Sequence, residues 1–281
     1  MNLPVIALST GSLHSYGIAR VFELAAEAGF DAVEILVDHR WDTCQPGYLK
    51  RMSVGSGLPI VAVHSPFVPS VPGWPSDPLG RLRQSAALAR ELGASVVVAH
   101  LPLRIHGVKI EFFGLAARPL SLPLPLPVSG DYRRFLLNGL TRFEDEEGVW
   151  VAVENMPARR ILGRRLEIHS LNTLDALASL PHLTLDTTHL ATWGMDPVDA
   201  YERLKARVVH VHLSDFDGTE HLLPEQGHLP LAELLRRLKR DGYQGAVSLE
   251  LRPEALQAEE EEQALVHLQR AIAFCREHLA G

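Results

Sequence analysis

Short, almost continuously apolar runs alternate along the chain with longer stretches in which apolar residues recur at helical spacing. Runs that are apolar at nearly every position are typical of strands buried on both faces of a parallel sheet. Eight such runs, each paired with a helical stretch, predict βα units. The predicted strands are Pro4–Ser9, Ala32–Val37, Ile60–His64, Ser95–His100, Val149–Glu154, Leu183–Asp186, Val208–His212 and Ala246–Glu250. The predicted helices are Ile18–Ala28, Gly47–Ser56, Asp77–Leu92, Tyr132–Glu147, Thr173–Leu180, Pro197–Ala206, Leu231–Asp241 and Glu254–Leu279.

Chain length and glycine placement decide between two folds with parallel sheets. At 281 residues the chain has the size of a single (β/α)8 barrel. No Gly-x-Gly-x-x-Gly motif follows the first predicted strand, as it would in a dinucleotide-binding doubly wound sheet. Gly29 and Gly93 follow two predicted helices, where a glycine commonly ends a helix. We therefore predict an α/β fold, a single-domain TIM barrel over residues 1–281.

The longest predicted connection, Leu101–Asp131, contains a segment in which prolines alternate with leucines, Arg118–Pro127. Proline lacks an amide hydrogen and fixes φ, so this segment is expected to form neither helix nor strand ladder and to follow an extended, polyproline-like path. A loop of this length in a compact domain is usually functional or disordered. Its leucines favour an ordered lid or a subunit contact over a mobile surface loop.

Composition narrows the classes of function. The chain carries 27 Lys and Arg against 34 Asp and Glu, and the resulting charge of −7 provides no general attraction for nucleic acid. Cys44 and Cys275 form no disulfide framework, and neither a signal peptide nor a membrane span is evident. We expect a cytoplasmic protein with a small-molecule substrate and without a nucleic-acid or membrane partner. Assembly into a homo-oligomer is left open.

The candidate chemistry lies at the ends of the predicted strands. In a (β/α)8 barrel the active site is built at the C-terminal ends of the strands. The third to eighth predicted strands each end on or next to a residue type that binds divalent metals. These six residues are His64, His100, Glu154, Asp186, His212 and Glu250. Side chains at these ends converge on the barrel mouth, which predicts a metal centre there.

The types of ligand indicate which ion would bind. Glu154, Asp186, His212 and Glu250 supply three carboxylates and one imidazole, a set that suits Mn²⁺, Mg²⁺ or Co²⁺ and is compatible with Zn²⁺. His64 and His100 add two nitrogens that a second, zinc-like ion would use, with Glu154 as a bridge. The alternative is that these residues are buried polar side chains paired within the barrel.

Further polar residues near the mouth are candidates for substrate contact. His189 lies three residues after Asp186, where it could hydrogen-bond substrate hydroxyls. Glu34 in the second predicted strand is expected either to anchor the substrate or to hydrogen-bond a ligand residue. His210 has the same parity as His212 but lies one layer deeper, which favours a structural role.

An arginine-rich segment follows Glu154 and contains Arg159, Arg160, Arg164 and Arg165. Arginine binds phosphate and carboxylate groups through two parallel hydrogen bonds. Arg159 and Arg160 are therefore candidates for binding an anionic group of the substrate. The alternative is that the arginines face solvent or form surface ion pairs.

The ordered set of strand ends resembles the xylose-isomerase-like barrel superfamily, which contains sugar isomerases and epimerases, inosose dehydratases and endonuclease IV-type apurinic endonucleases. The segments that carry the resemblance are Val63–Phe67, Val98–His100, Val153–Asn155, Leu185–His189, His210–Asp215 and Leu249–Glu250. By this resemblance Glu154, Asp186, His212 and Glu250 match the metal ligands of the isomerases and epimerases, in which the two glutamates also act as acid and base. The resemblance implies proton transfer through an enediolate on a small sugar, keto-sugar or sugar phosphate.

The nuclease branch of the superfamily implies a different reaction, metal-dependent hydrolysis at abasic sites. There, residues matching His64 and His100 help hold one zinc, and the residue matching His189 joins an Asp-x-His pair to hold another. In this chain the pair is replaced by Thr219–His221, with Thr219 where the aspartate is expected and Glu220 as a further break in the pattern. Asp217 would substitute only after a loop rearrangement.

We therefore predict a metal-dependent isomerase or epimerase. The alternatives are an apurinic endonuclease, a polyol dehydratase, and a non-catalytic barrel that keeps a metal for structure alone.

Overall fold

The computed structural model describes residues 3–68, 70–112, 120–127, 130–161 and 164–280, with the backbone alone for 105–112, 120–127, 160–161 and 164. Its strands are β1 (Val5–Ser9), β2 (Ala32–Leu36), β3 (Ile60–His64), β4 (Val96–His100), β5 (Ile105–Phe112), β6 (Leu120–Pro127), β7 (Trp150–Glu154), β8 (Arg159–Ile161), β9 (Arg164–Leu166), β10 (Leu183–Asp186), β11 (Val208–Leu213) and β12 (Ala246–Leu249). Eight of these strands, all parallel, close into a barrel in the order β1-β12-β11-β10-β7-β4-β3-β2. The predicted (β/α)8 fold is confirmed.

Helices surround the barrel. They are α1 (Ile18–Ala28), α2 (Pro46–Ser56), α3 (Pro78–Leu92), α4 (Asp131–Asn138), α5 (Leu140–Glu147), α6 (Leu174–Leu177), α7 (Thr187–Trp193), α8 (Pro197–Leu204), α9 (Leu231–Arg240), α10 (Pro253–Leu256) and α11 (Glu261–Ala280). Gly29 and Gly93 end α1 and α3 with φ of 92° and 76°, which confirms the two predicted caps. No helix in the described part of the chain is both long and apolar enough to cross a membrane.

The alternation of side chains along the strands separates an outer core from the barrel interior. In β7, Val151 and Val153 belong to the large apolar core, whereas Ala152 packs with Val96 and Val98 of β4 in a small separate cluster. Small residues fill the narrow interior below the mouth. Glu154 has the same parity as Ala152, so its carboxylate also enters the barrel.

Two predicted helices are each interrupted in the structure. The predicted helix Tyr132–Glu147 forms α4 and α5, which meet at Gly139, because glycine is a poor residue for a helix interior. The predicted helix Glu254–Leu279 forms α10 and α11, and Gln257 between them adopts the left-handed conformation with φ 52°. The helix α7 was not predicted, since it is short and begins directly at the end of β10.

The expectation that the proline-rich segment forms no ladder is wrong. Strands β5 and β6 pair antiparallel, with Pro123, Pro125 and Pro127 opposite Lys109, Gly107 and Ile105. Successive residues of such a strand direct their amide groups alternately toward the partner and away from it. Because the prolines of β6 occupy every second position, the N–H groups that face β5 belong to the leucines between them. The ladder can therefore form, as in other edge strands that contain proline. Residues 113–119, where the segment begins, lie outside the described residues, and the lid or subunit contact stays a prediction.

Candidate metal centre

Alternate residues of each barrel strand face the interior, and the predicted residues lie at such positions. In the register of β4 and β7, His100 pairs with Glu154 one layer above Val98 and Ala152. Asp186 pairs with His212 between β10 and β11. His64 ends β3, and Glu250 directly follows β12. All of these side chains enter the same end of the barrel.

Four of the side chains form a compact cluster. One oxygen or nitrogen from each of Glu154, Asp186, His212 and Glu250 lies within 4.8 Å of the others. The centre of the cluster is Nδ1 of His212. The carboxylate oxygens of Glu250, Glu154 and Asp186 lie 2.8, 3.0 and 3.8 Å from it, respectively.

Local structure fixes the orientation of Asp186. It is the N-cap of α7, and its Oδ1 accepts hydrogen bonds from the His189 amide at 2.7 Å and from the Thr188 hydroxyl at 3.1 Å. Asn155 hydrogen-bonds both the amide and the carbonyl of Asp186, at 2.9 and 3.0 Å. One carboxylate oxygen is thus committed to the helix, which leaves Oδ2 to face the cluster.

A second carboxylate lies behind His212. Glu34 is fully buried, and its Oε2 lies 3.2 Å from Nε2 of His212 and 2.5 Å from Nε2 of His210. An imidazole that donates Nε2–H to a carboxylate presents the lone pair of Nδ1 on its other side, the usual support for a histidine that binds a metal. This placement favours the second of the two predicted roles of Glu34, a hydrogen bond to a ligand residue, and substrate contact by Glu34 stays a prediction. His210 occupies the deeper layer that the sequence indicated.

The electrostatics of the cluster favour a positive charge at its centre. Burial is the largest single influence on the pKa of His212 and lowers it. The carboxylates of Glu34, Glu250 and Glu154 together outweigh burial and raise that pKa well above its usual value. Burial raises the pKa of Glu154, yet hydrogen bonds from His100 and His212 bring it well below the usual range. Burial raises the pKa of Glu250, but the positive charge of His212 lowers it further, to about 2. The two glutamates are therefore ionised at neutral pH.

The same residues fit a divalent cation. Oδ2 of Asp186 is buried and accepts no hydrogen bond from the described residues. Buried acceptors without donors are costly unless another group satisfies them. A divalent cation that takes the place of the proton on Nδ1 of His212 would neutralise the three surrounding carboxylates, and all four residues are of types that bind such ions.

Three further histidines surround Glu154. Nε2 of His100 and Nε2 of His64 lie 3.2 and 3.7 Å from Oε2 of Glu154, and Nδ1 of His189 lies 3.5 Å from Oε1. The His189 ring also makes a 2.9 Å hydrogen bond with the carbonyl of Asn155. His64 and His100 are thus close enough to Glu154 to serve either as hydrogen-bonding residues or as ligands of a second ion.

The segment after β11 brings Glu220 and His221 close to His189. Glu220, which breaks the Asp-x-His pattern in the sequence, directs Oε2 to within 3.8 Å of Nε2 of His189. The His221 ring packs edge-on against His189 at 5.6 Å, and His221 adopts a left-handed backbone with φ 60°. This backbone conformation is uncommon for a residue other than glycine, so residue spacing is a poor guide to the side-chain positions in this segment.

The arginine-rich segment forms a short hairpin of β8 and β9. Arg159 is exposed, and its positive charge is one of the influences that lower the pKa of the nearby His169. The side chains of Arg160 and Arg164 lie outside the described residues. Binding of an anionic substrate group by Arg159 and Arg160 stays a prediction.

Sequence reasoning missed His169. This histidine lies between β9 and α6, is 8% exposed, and interacts electrostatically with His100, His189 and Glu154. No strand end or motif marks it in the sequence. The nearest signal is Asn172, whose amide ties this segment to the main chain of Met156, two residues beyond Glu154.

A family model described as "xylose isomerase-like TIM barrel" matches residues 22–276. The chain belongs to this family. An uncharacterized protein of Mycobacterium tuberculosis is 28% identical over 297 residues, covering 98% of this chain and 97% of that protein.

Two further comparisons involve proteins whose names state an activity. A putative hydroxypyruvate isomerase of Streptomyces coelicolor is 38% identical over 193 residues, 66% of this chain and 62% of that protein. The crystal structure of the 3-keto-D-glucoside 4-epimerase of E. coli superposes with a TM-score of 0.67 at 19% identity, covering 98% of this chain and 99% of that chain. The structural likeness at this identity concerns the fold.

Proposed function

We propose that the protein is a divalent-metal-dependent isomerase or epimerase of a small sugar, keto-sugar or sugar phosphate. The observation that carries the proposal is the cluster in which Glu154, Asp186 and Glu250 surround Nδ1 of His212. The names of the isomerase and epimerase relatives support the same class of reaction. The catalytic pair is Glu154 and Glu250, and the metal ligands are these two with Asp186 and His212.

The positions of the two glutamates suit proton transfer on opposite faces of a substrate. They lie at the ends of β7 and β12, which are three steps apart in the eight-stranded barrel. Epimerisation requires one carboxylate to remove a C–H proton and the other to deliver a different proton to the opposite face of the enediolate, so one of the two glutamates, both ionised in the metal-free cluster, would have to take up a proton before turnover. Isomerisation returns the proton to the neighbouring carbon. A bound divalent cation would polarise the substrate carbonyl and so acidify the adjacent C–H.

Solvent exchange tests this proposal even when the identity of the product is unknown. The protein is loaded with Mn²⁺ for turnover and with Mg²⁺ for NMR, and is incubated in D₂O with D-fructose, L-ribulose or hydroxypyruvate. We expect metal-dependent incorporation of deuterium next to the carbonyl and slow appearance of an isomer or epimer. Glu154→Gln and Glu250→Gln serve as inactive controls. Absence of exchange across a broad set of small ketoses would argue against the reaction class.

A second candidate, a phosphodiesterase acting at abasic sites, is favoured by one observation. His64 and His100 approach the oxygen of Glu154 that faces away from His212. Two ions bridged by a carboxylate about 3.5–4 Å apart would suit attack of water on a phosphate ester. The net charge of −7 opposes DNA binding. We expect at most weak incision of abasic DNA, and efficient metal-dependent incision would reverse the ranking.

A further inference from the structure

Three segments of the chain meet around a cavity beside the end of β4. The cavity has a volume of about 310 Å³, and the described residues that line it are Arg104, Arg133, Ser170 and Leu171. Arg104 lies in the connection that follows β4, Arg133 lies in the first turn of α4, and Ser170 and Leu171 lie between β9 and α6. Two guanidinium groups and a hydroxyl group from separate parts of the chain therefore border one space.

Hydrogen bonds hold two of these segments together. The Ser170 amide donates to the carbonyl of Pro102 at 2.7 Å, and the Arg104 amide donates to the carbonyl of Ile168 at 2.8 Å. Nε of Arg104 donates to the carbonyl of His169 at 2.8 Å. This bond orients the guanidinium of Arg104 and leaves its terminal NH₂ groups as donors for another partner.

The third segment is anchored to the end of β4. The hydroxyl of Tyr132 donates a 3.3 Å hydrogen bond to the carbonyl of His100. Nε2 of His100 lies 3.2 Å from Oε2 of Glu154 in the cluster. Arg133 directly follows Tyr132, and Arg104 follows His100 by four residues. The cavity therefore lies on the catalytic side of the barrel, next to the strand end that contributes His100.

The acidic residues of the same segments do not neutralise the two arginines. Within the part of the chain that the structure describes, neither Arg104 nor Arg133 forms an ion pair. Asp131, in the same turn as Arg133, pairs with Arg134 at 3.0 Å. Glu167 engages both of its oxygens in hydrogen bonds within its own segment. The cavity therefore carries an excess of positive charge in a chain whose net charge is −7.

These donors suit a phosphate group. Arginine binds phosphate through parallel N–H···O bonds, and a phosphate group offers several acceptor oxygens to donors that approach from different directions. A carboxylate offers only two oxygens in one plane and a single charge. The positive charge of Arg159, which acts on the neighbouring His169, adds to the same field. Two arginines and a serine hydroxyl therefore match a phosphate dianion better than a carboxylate.

We propose that the cavity bordered by Arg104 and Arg133 binds a phosphate group. Two sources supply this chemistry: the phosphate of a phosphorylated sugar that reacts at the metal centre, and free inorganic phosphate. The first source rests on the proposed function and narrows its substrates to sugar phosphates. The second source is independent of the proposed function.

The first arm of the test measures binding of inorganic phosphate by calorimetry, in EDTA so that no metal ion competes for the anion. Arg104→Gln and Arg133→Gln each remove one guanidinium from the cavity. Arg134→Gln is the matched control, because it makes the same change in charge one residue further along α4, at a side chain that pairs with Asp131. Melting temperatures report on folding. Arg133→Gln keeps the test decisive if Arg104→Gln is unstable, because the Arg133 side chain is exposed.

The second arm distinguishes the two sources of phosphate. Binding of D-fructose and of D-fructose 6-phosphate to the Mn²⁺-loaded protein is measured by calorimetry, for the parent, Arg133→Gln and Arg134→Gln. Deuterium exchange into both ketoses is measured separately.

We expect the parent to bind inorganic phosphate with a Kd of about 1 mM or below, and Arg104→Gln and Arg133→Gln to weaken this binding about 10-fold each. Arg134→Gln should remain within about threefold of the parent. No phosphate binding by the parent, unchanged affinity in Arg133→Gln, or equal losses in Arg133→Gln and Arg134→Gln would each overturn the proposal.

If the phosphate belongs to the substrate, D-fructose 6-phosphate should bind at least about 10-fold more tightly than D-fructose, and Arg133→Gln should remove most of this difference. Equal binding of the two ketoses by a protein that binds inorganic phosphate would support the cavity and assign it to free phosphate. Phosphate binding that depends on Arg133, without any deuterium exchange, would support the cavity and count against the proposed reaction.

Discussion

The two sides of the His212 ring present a direct comparison, because both face carboxylates but in different surroundings. On the inner side, Nε2 faces the single carboxylate of Glu34, which His210 also contacts. On the outer side, Nδ1 faces three carboxylates from three different strand ends. Inner and outer groups therefore use the same residue types at similar distances.

The difference lies in how well each side balances its own charges. The inner carboxylate has two imidazoles, and burial lowers the pKa of His210 so that this ring acts as a neutral donor. The outer group has three carboxylates around a single imidazole nitrogen and therefore an excess of negative charge. We conclude that the inner group stabilises and orients His212, whereas the outer group is built to receive a cation.

The largest effect is expected on the outer side. Glu154→Gln and Glu250→Gln should each lower turnover by about 10³-fold or more, because the amide neither accepts the proton nor binds a cation well. Circular dichroism should show a folded barrel in both variants. Full activity in either variant would disprove the two-carboxylate mechanism.

A second substitution should separate stability from activity. His210→Phe leaves the buried carboxylate of Glu34 with one imidazole partner, and we expect a loss of about 3 kcal/mol in the free energy of unfolding. The matched outer change, Glu250→Gln, should lower the free energy of unfolding by less than about 1 kcal/mol. The Glu250 side chain is partly exposed, and its replacement by a neutral amide relieves repulsion among the carboxylates. Urea unfolding in EDTA measures both. A larger loss for the outer variant would reverse the assignment of the two sides.

A smaller effect is expected for the support of His212. Glu34→Gln should weaken Mn²⁺ binding about 10- to 100-fold, since the carboxylate behind the ring fixes the tautomer that leaves Nδ1 free for a metal. Titration with Mn²⁺, followed by electron paramagnetic resonance, measures the affinity. Unchanged affinity would mean that Glu34 does not control the orientation of His212.

The smallest effect concerns pH. The folded-state pKa of His212 is raised, so its contribution to stability is complete below the unfolded-state value near 6.5 and is lost as pH rises through the higher folded value. In EDTA the melting temperature should therefore fall as pH increases above about 6.5. Saturating Mn²⁺ should weaken this dependence, because a cation replaces the proton at Nδ1. The same pH profile with and without Mn²⁺ would contradict this link.

The direction of the side chains at the strand ends could be predicted from the alternation of residues along each strand. A buried parallel strand alternates strictly between barrel interior and outer core, so the parity of Ala152 and Glu154 fixes where the carboxylate points. The convergence of residues such as Asp186 and His212 follows from the closure of the barrel. Residue type, parity and strand order sufficed for this part of the site.

Other parts of the site depend on contacts that no local pattern specifies. The segment of His169 is held beside the ends of β4 and β7 by its bridge to Leu103 and by the hydrogen bonds of Asn172, which join segments far apart in sequence. Glu220 approaches His189 through a loop that contains a left-handed His221. In the proline-rich segment the register of β5 and β6, rather than proline content alone, decides whether a ladder forms.

The central claim is that Glu154, Asp186, His212 and Glu250 hold one catalytic cation. Anomalous diffraction from crystals grown with Mn²⁺ and Zn²⁺, recorded at both absorption edges, tests it most directly. We expect one strong peak within about 2.0–2.3 Å of a carboxylate oxygen from each acidic residue and of Nδ1 of His212. A cluster without a peak would contradict the claim, and a second strong peak between His64 and His100 would favour ester hydrolysis over isomerisation.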